Sequence, residues 1–309
     1  MPTPSSPASS ASSDQGPDAL GRGIDHVAVV VNDLSAAAAR FEALGFTTTP
    51  RAYHPWGTAN HLVQFGRSFI EIVGIADADK LIPHSAGAFS FSAHARDYLA
   101  ERQGMAMLVL SSRDAEADAK AWQAAGLATY EPVYFERQAT LPSGEQVKVA
   151  FTVAFTTDER LPACAFFVCQ QFFPEHFWKP HYQQHANGAR NIGAAILGVH
   201  EEPAQYRDFL EAYTGGASVS MDNGVSAALA CGRVEVVSRE SAVAQFPLLA
   251  DASTTAPAGH FAQLVVDVNS TDAVAAHQRA QDIPFRQSGA DVDISPDDLF
   301  GLGLRFSAQ

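Results

Sequence analysis

Two short apolar segments of this chain each carry one polar side chain that is costly to bury. His26 lies in the run 24–31 and Glu71 lies in the run 69–75, and β-branched residues dominate both. A carboxylate in an apolar segment costs several kcal/mol unless it is paired, protonated or bound to a cation. His26 and Glu71 are therefore candidate ligands of a divalent metal, and Glu71 is also a candidate catalytic proton acceptor.

A further candidate ligand is His61, in the run 59–65 that precedes the run of Glu71. A two-residue turn at 66–67 pairs Leu62 with Glu71. Because side chains alternate along a strand, His61 then faces away from Glu71. A longer turn or a β-bulge brings His61 to the same face instead. Both arrangements are open at this stage, and His61 is kept as a third metal ligand.

The segment 172–185 concentrates aromatic and histidine side chains. One interpretation is a hydrophobic linker that closes the gap between two halves of the protein. The other is a lid over a binding site. His181 and His185 are four residues apart, which is a ligand spacing only in a helix, and Pro180 then lies near the helix start. In the lid interpretation His185 is a candidate ligand or catalytic acid–base group.

Composition and charge indicate a folded, acidic protein. The chain has 309 residues, of which 47% are hydrophobic, and a formal net charge of −14. This charge argues against binding to nucleic acid, whose phosphates need a basic surface, and against docking on an anionic membrane. A small molecule is the expected partner, and a homodimer is left open.

Cysteine content and local sequence bear on location. The three cysteines have neither CxxC spacing nor an even count, which favours a reducing cytoplasm over a disulfide framework. No apolar run approaches the ~20 residues that span a bilayer. The first 22 residues are rich in Ser, Ala and Pro and are expected to form a disordered tail.

The order strand, helix and three strands is predicted four times along the chain, starting near Ile24, Met105, Asn191 and His260. In the first copy Asp33 caps the helix and Gly45 ends it. We align the copies by these patterns. The position of Glu71 is then filled by Cys169, Glu235 and Arg305. The position of His26 is filled by Met105, Asn191 and either His260 or Gln263.

Four motifs carry a resemblance to a known family: DHVAV at 25–29, HPWGTANH at 54–61, FIEI at 69–72, and the segment from Phe177 to Ala189. With them the chain resembles the vicinal oxygen chelate superfamily, in its glyoxalase-like branch. The resemblance implies an α+β fold of four βαβββ modules forming two paired, cupped mixed sheets. It divides the chain into a tail (1–22), a glyoxalase-like domain (23–188) and a diverged second module pair (189–309).

The resemblance also implies a function. In this superfamily a divalent metal (Zn, Mn, Ni or Fe) acts on vicinal oxygens of a small substrate, which here predicts a lyase or isomerase. His26 and Glu71 match its ligand positions. Of the residues aligned with the other two positions, Met105 cannot serve a hard divalent ion and Cys169 would favour zinc. A two- or three-ligand site, completed by water and substrate, is left open. A non-catalytic small-molecule binding protein and a ring-cleaving dioxygenase are the alternatives.

Overall fold

A computed structural model describes residues 22–140, 144–251 and 259–308. These residues form two mixed β-sheets with helices packed on them, so the fold is α+β, as predicted. Of the predicted tail, only Arg22 lies within the described residues. The domain boundary at 188–189 remains a prediction.

The first sheet contains the first two modules, and its strands follow the order β2-β3-β4-β1-β5-β9-β8-β6, with β7 paired to β8. The strands are β1 (Ile24–Val30), β2 (Ala52–Tyr53), β3 (Thr58–Gln64), β4 (Phe69–Ile75), β5 (Gly104–Ser112), β6 (Ala128–Thr129), β7 (Val133–Thr140), β8 (Gln146–Thr157) and β9 (Ala165–Gln171). Strands β1 and β5 join the two modules as an antiparallel pair.

The second sheet repeats this plan with the last two modules, in the order β11-β12-β13-β10-β14-β17-β16-β15. Its strands are β10 (Ala189–Val199), β11 (Val219–Met221), β12 (Gly224–Ala228), β13 (Arg233–Ser238), β14 (His260–Val268), β15 (Arg286–Ser288), β16 (Asp291–Ile294) and β17 (Leu304–Ala308). Here β10 and β14 are the central antiparallel pair.

The first helix of each of the first two modules begins at a polar cap. Asp33 accepts a hydrogen bond from the backbone of Ala36, and Asp114 accepts the equivalent bond from Ala117, so both helices start at capped turns. The helices are α1 (Leu34–Ala43), α2 (Phe91–Glu101), α3 (Ala115–Ala124), α4 (Pro174–Phe177), α5 (Arg207–Thr214), α6 (Arg239–Gln245), α7 (Leu248–Asp251) and α8 (Thr271–Ala280). None of these helices is long and apolar enough to span a bilayer.

Alternation along the strands separates two cores. Val27 and Val29 of β1 point into an apolar core that residues of both sheets share. Ala28 and Val30 point the other way, into the concave face, or cup, of the first sheet. The shared core holds the two sheets together. The segment after β4 lies over the cup of the first sheet, and the segment after β13 lies over the cup of the second.

Candidate functional site

A cavity of about 250 Å³ lies in the cup of the first sheet. The sheet forms its floor, and the segment before α2 and the β7–β8 hairpin form its walls. Nine of the lining side chains are Phe or Trp: Trp56, Phe69, Phe89, Phe91, Phe135, Phe151, Phe155, Phe167 and Phe177. Two apolar side chains that line it, Ile82 and Val133, are also exposed, which places its mouth beside them. The cavity therefore favours a small, flat, apolar molecule.

A β-bulge places an aspartate–histidine pair at the floor. The register of β1 on β5 shifts between Ile24 and His26, so Asp25 is the extra residue of the bulge. As a result the side chains of these two neighbours meet, with Asp25 Oδ1 2.6 Å from His26 Nδ1. Gln171 also donates to Asp25 Oδ2 at 3.0 Å. Because a carboxylate only accepts, Nδ1 carries the proton and Nε2 faces the cavity as an acceptor.

Glu71 lies next to this pair on β4 and is buried. Its register partner on β1 is Ala28, a residue of the cup face. Asn60 Nδ2 donates to Glu71 Oε1 at 2.6 Å. His26 Nε2 lies 3.9 Å from Glu71 Oε2, which is too long for a hydrogen bond. A substrate hydroxyl bound between these two atoms can donate its hydrogen bond to either of them, because both are acceptors.

His54 completes the polar end of the cavity, and the sequence analysis did not assign it a role. Its Nε2 lies 3.5 Å from Glu71 Oε1, its Nδ1 lies 2.8 Å from Thr58 Oγ1, and its ring stacks on Trp56. Gly57, at φ +84°, turns this loop where a Cβ would collide with the Asp77 backbone. Burial lowers the pKa of His54, and Glu71 opposes that shift only in part, so the imidazole is neutral at pH 7.

Two further polar side chains line the cavity, Arg137 of β7 and Cys169 of β9. Burial raises the pKa of the Cys169 thiol well above its usual value, and the charges of Asp25 and Glu71 add to that shift. The thiol is therefore protonated and is not a nucleophile. Burial lowers the pKa of Arg137, whereas Glu71 raises it. Arg137 stays charged because an arginine pKa lies so far above neutrality.

The structure does not bring His61 to Glu71. The register pairs Leu62 with Glu71, as the two-residue turn predicted, and His61 pairs with Ile72 on the opposite face. There its Nδ1 lies 2.7 Å from the Thr49 carbonyl oxygen. Because the alternation of β3 is regular, the side chain cannot reach a metal held by Glu71, and we do not carry it into the proposed site.

His185 also lies outside the cavity. Thr47 N–H donates to its Nδ1 at 3.0 Å, and its Nε2 lies 2.8 Å from the Gln64 carbonyl oxygen. Both ring nitrogens are thus occupied by backbone groups, and burial lowers its pKa. This arrangement describes a neutral, structural histidine that anchors the linker to β3. The catalytic role that the sequence suggested for it has no geometric support.

The aromatic segment after β9 combines both interpretations of the sequence. Gln183 donates to the Phe65 carbonyl oxygen, so the segment is fastened along β3 as a linker. Phe177 reaches into the cup, where it lines the cavity and packs on Phe69. Trp178 packs on the same Phe69 ring. The segment is therefore a fixed wall of the cavity.

The helix caps and strand registers correct the alignment of the modules. Asp114 follows Asp33 by the same number of residues as Gly126 follows Gly45. The residue that follows His26 by this number is Met107 rather than Met105. In the first module Ala28 pairs with Glu71, and the residues equivalent to Ala28 in the other three modules pair with Phe167, Glu235 and Arg305. The second-module counterpart of Glu71 is therefore Phe167 rather than Cys169. The other counterparts of His26 are Ala194, rather than Asn191, and Gln263.

The partner module does not complete the metal site that the resemblance implied. The partner module places Met107 and Phe167 at the two remaining ligand positions, and neither side chain binds a hard cation. Asn60 Nδ2 lies 2.6 Å from Glu71 Oε1 and 3.3 Å from His54 Nε2, so an N–H donor takes the place between them. Across residues 22–140, 144–251 and 259–308, no three His, Cys, Asp or Glu side chains form a metal-holding group.

The cup of the second sheet is filled. After β13 the helices α6 and α7 insert Phe246 and Leu249 against β10, in a separate apolar cluster. The charged side chains at the ligand positions, Glu235 and Arg305, are paired within the protein. Arg233 donates to Glu235 at 2.5 Å, and Arg305 donates to Asp293 at 2.7 Å. Among the described residues, the aromatic cavity with a polar end therefore belongs to the first module pair.

The comparisons with known proteins agree with this fold. The family model described as glyoxalase-like domain matches residues 24–214. No curated protein matches the chain. A hypothetical protein from Staphylococcus aureus has a similar structure, with a TM-score of 0.64 at 14% identity over 93% of this chain and 100% of the other. A mutant 4-hydroxymandelate synthase from Streptomyces coelicolor has a TM-score of 0.55 at 9% identity over 94% and 93%. At these identities the structural likeness concerns the fold alone.

Proposed function

Because the chain belongs to the glyoxalase-like domain family, we propose that it is an enzyme that moves a proton on a small aromatic molecule. The observation behind the proposal is that one end of an aromatic cavity is polar. At that end, the Asp25–His26 pair and Glu71 face each other across 3.9 Å. Such a gap suits a substrate oxygen together with the carbon next to it.

Asp25 orients the imidazole of His26 and would stabilise its protonated form during the reaction. Glu71 and the Nε2 atom of His26 are then the two groups that take and return a proton. Neutral His54 and the Asn60 amide donate or accept at the substrate oxygen. The aromatic walls exclude water and hold the substrate ring, which strengthens each of these hydrogen bonds.

A proton abstraction test does not require the natural substrate. The bicyclic ketone 2-tetralone suits an aromatic cavity of this kind, and its benzylic hydrogens next to the carbonyl are acidic. We expect the protein to accelerate exchange of these hydrogens in D₂O, followed by NMR. We also expect Glu71→Gln or His26→Gln to lower that rate about 100-fold, a typical contribution of general acid–base catalysis.

The matched control is Glu235→Gln, which removes the equivalent carboxylate from the filled cup and should leave the exchange rate unchanged. Exchange at the buffer rate despite calorimetric binding of 2-tetralone would contradict the enzyme proposal. That result would favour the second class of function, a small-molecule binding protein on the same fold.

Metal dependence, as expected from the sequence, is a second candidate. The observation that favours it is the Asp25–His26 hydrogen bond, since metal-ligating histidines are commonly held this way by a carboxylate. The proposal above predicts that dialysis against EDTA leaves the exchange rate unchanged. A loss of activity that an added divalent metal restores would favour the metal-dependent form and a dioxygenase or lyase reaction.

A further inference from the structure

Arg137 is a cation in an otherwise apolar wall. It lies on β7, and the alternating positions Val133, Phe135 and Arg137 all line the cavity. Its side chain is half-buried, and burial lowers its pKa. A guanidinium is normally placed in such an environment with a partner, because an unpaired buried charge is costly.

No such partner is present among the described residues. Neither an ion pair nor a hydrogen bond joins the Arg137 guanidinium to any of them, and Glu71 acts on it only at longer range. The neighbouring charges on the hairpin differ: Lys148 of β8 is exposed and pairs with Glu136 at 3.2 Å. Arg137 therefore faces the cavity with its donors available.

A second donor lies in the same wall. The indole Nε1 of Trp56 is buried, and no described residue accepts its hydrogen bond. Trp56 lines the cavity and packs edge-on against Phe135, two residues from Arg137. Its Nε1 has almost no accessible surface, so Trp56 contributes its ring to the wall, and the guanidinium of Arg137 is the donor that a ligand can reach. A carboxylate is the planar, charged acceptor whose two oxygens match the donors of a guanidinium.

We propose that the substrate is a small aromatic acid whose carboxylate binds Arg137 while its other, oxygen-bearing end meets Glu71 and His26. This inference rests on the proposed function, since it assigns the ligand of the same cavity. The aromatic body then lies between the polar floor and the hairpin wall. Arg137 fixes which end of the substrate reaches the proton-transfer groups, so it sets orientation as well as affinity.

Two probes of matched size test the carboxylate alone: 6-hydroxy-2-naphthoate and its neutral amide, 6-hydroxy-2-naphthamide. Isothermal titration should show that the wild-type protein binds the acid about tenfold more tightly than the amide, the effect expected for one charged hydrogen-bonded pair. Arg137→Gln should abolish this preference and leave the amide affinity unchanged. The control Lys148→Gln removes a nearby charge outside the cavity and should keep the preference.

Each alternative result has a separate meaning. An equal or weaker affinity for the acid in the wild type, or a preference that survives Arg137→Gln, overturns the aromatic-acid proposal while the cavity keeps its proposed function. A preference lost equally in Lys148→Gln overturns it too, because the effect is then general electrostatics. Failure of both probes to bind the wild type overturns the proposed function and this inference with it.

Discussion

The two module pairs of this chain share one architecture and differ in what fills the cup. In the first pair the segment after β4 leaves a cavity of about 250 Å³ over the sheet. In the second pair the segment after β13 forms α6 and α7, whose Phe246 and Leu249 occupy the equivalent face. The same fold thus surrounds a cavity in one half and a packed core in the other.

The carboxylates at equivalent positions show the same contrast. Glu235 is held by Arg233 at 2.5 Å, so its charge is compensated inside the protein. Glu71 instead faces two imidazoles at 3.5 and 3.9 Å and one amide donor. The difference teaches that a buried carboxylate at the family's ligand position is no evidence of function by itself. What matters is whether the surrounding residues already satisfy it.

The largest expected effect concerns packing. Phe246 is 1% exposed and fills the second cup, so Phe246→Ala should lower the free energy of unfolding by about 3–5 kcal/mol. Phe151 lines the existing cavity, so Phe151→Ala should cost only about 1–2 kcal/mol, because part of its surface has no packing partner to lose. Urea unfolding of both variants measures the difference. Equal losses would mean that the two cups are packed alike.

A smaller effect, a loss of stability at low pH, is expected in both module pairs. Burial lowers the pKa of His94, on α2, and of His260, on β14, from 6.5 to about 4. Between pH 6.5 and 4 the unfolded chain therefore binds more protons than the folded protein. Stability is complete above pH 6.5 and falls with decreasing pH, by about 1.4 kcal/mol per pH unit for each histidine.

Unfolding curves from pH 7 to 4.5 measure this loss. His94→Gln and His260→Gln should each reduce the slope by a similar amount, since burial is the largest cause of both pKa shifts. A slope removed by only one of the two variants would show that acid sensitivity, like the cavity, belongs to one half.

The sequence predicts much of the frame that positions the site. β-branched runs locate β1 and β4, Asp33 and Gly45 bound α1, and the two-residue turn sets the pairing of Leu62 with Glu71. These features are local or follow from the period-two alternation of strands, so they can be read without tertiary contacts. The four-module fold follows from their repetition.

The rest of the site depends on contacts between distant segments. Asp25 reaches His26 only because of a bulge in β1, and bulges leave no clear sequence signal. His54 and Arg137 come from a loop and a hairpin that meet over the sheet. The one available signal for His54 was its place in the HPWGTANH motif, which was interpreted as a turn. His61 was predicted on the condition of a longer turn or a bulge and His185 on that of a lid, and backbone oxygens hold both side chains elsewhere.

A crystal structure of the protein soaked with 6-hydroxy-2-naphthoate would locate the binding site and the orientation of the ligand in one measurement. We expect one bound molecule per chain in the first cup, with an oxygen within hydrogen-bond distance of Glu71 and the carboxylate at Arg137. A molecule bound in the second cup beside Phe246, or at the surface with the first cup empty, would contradict the assignment of the site to the first module pair.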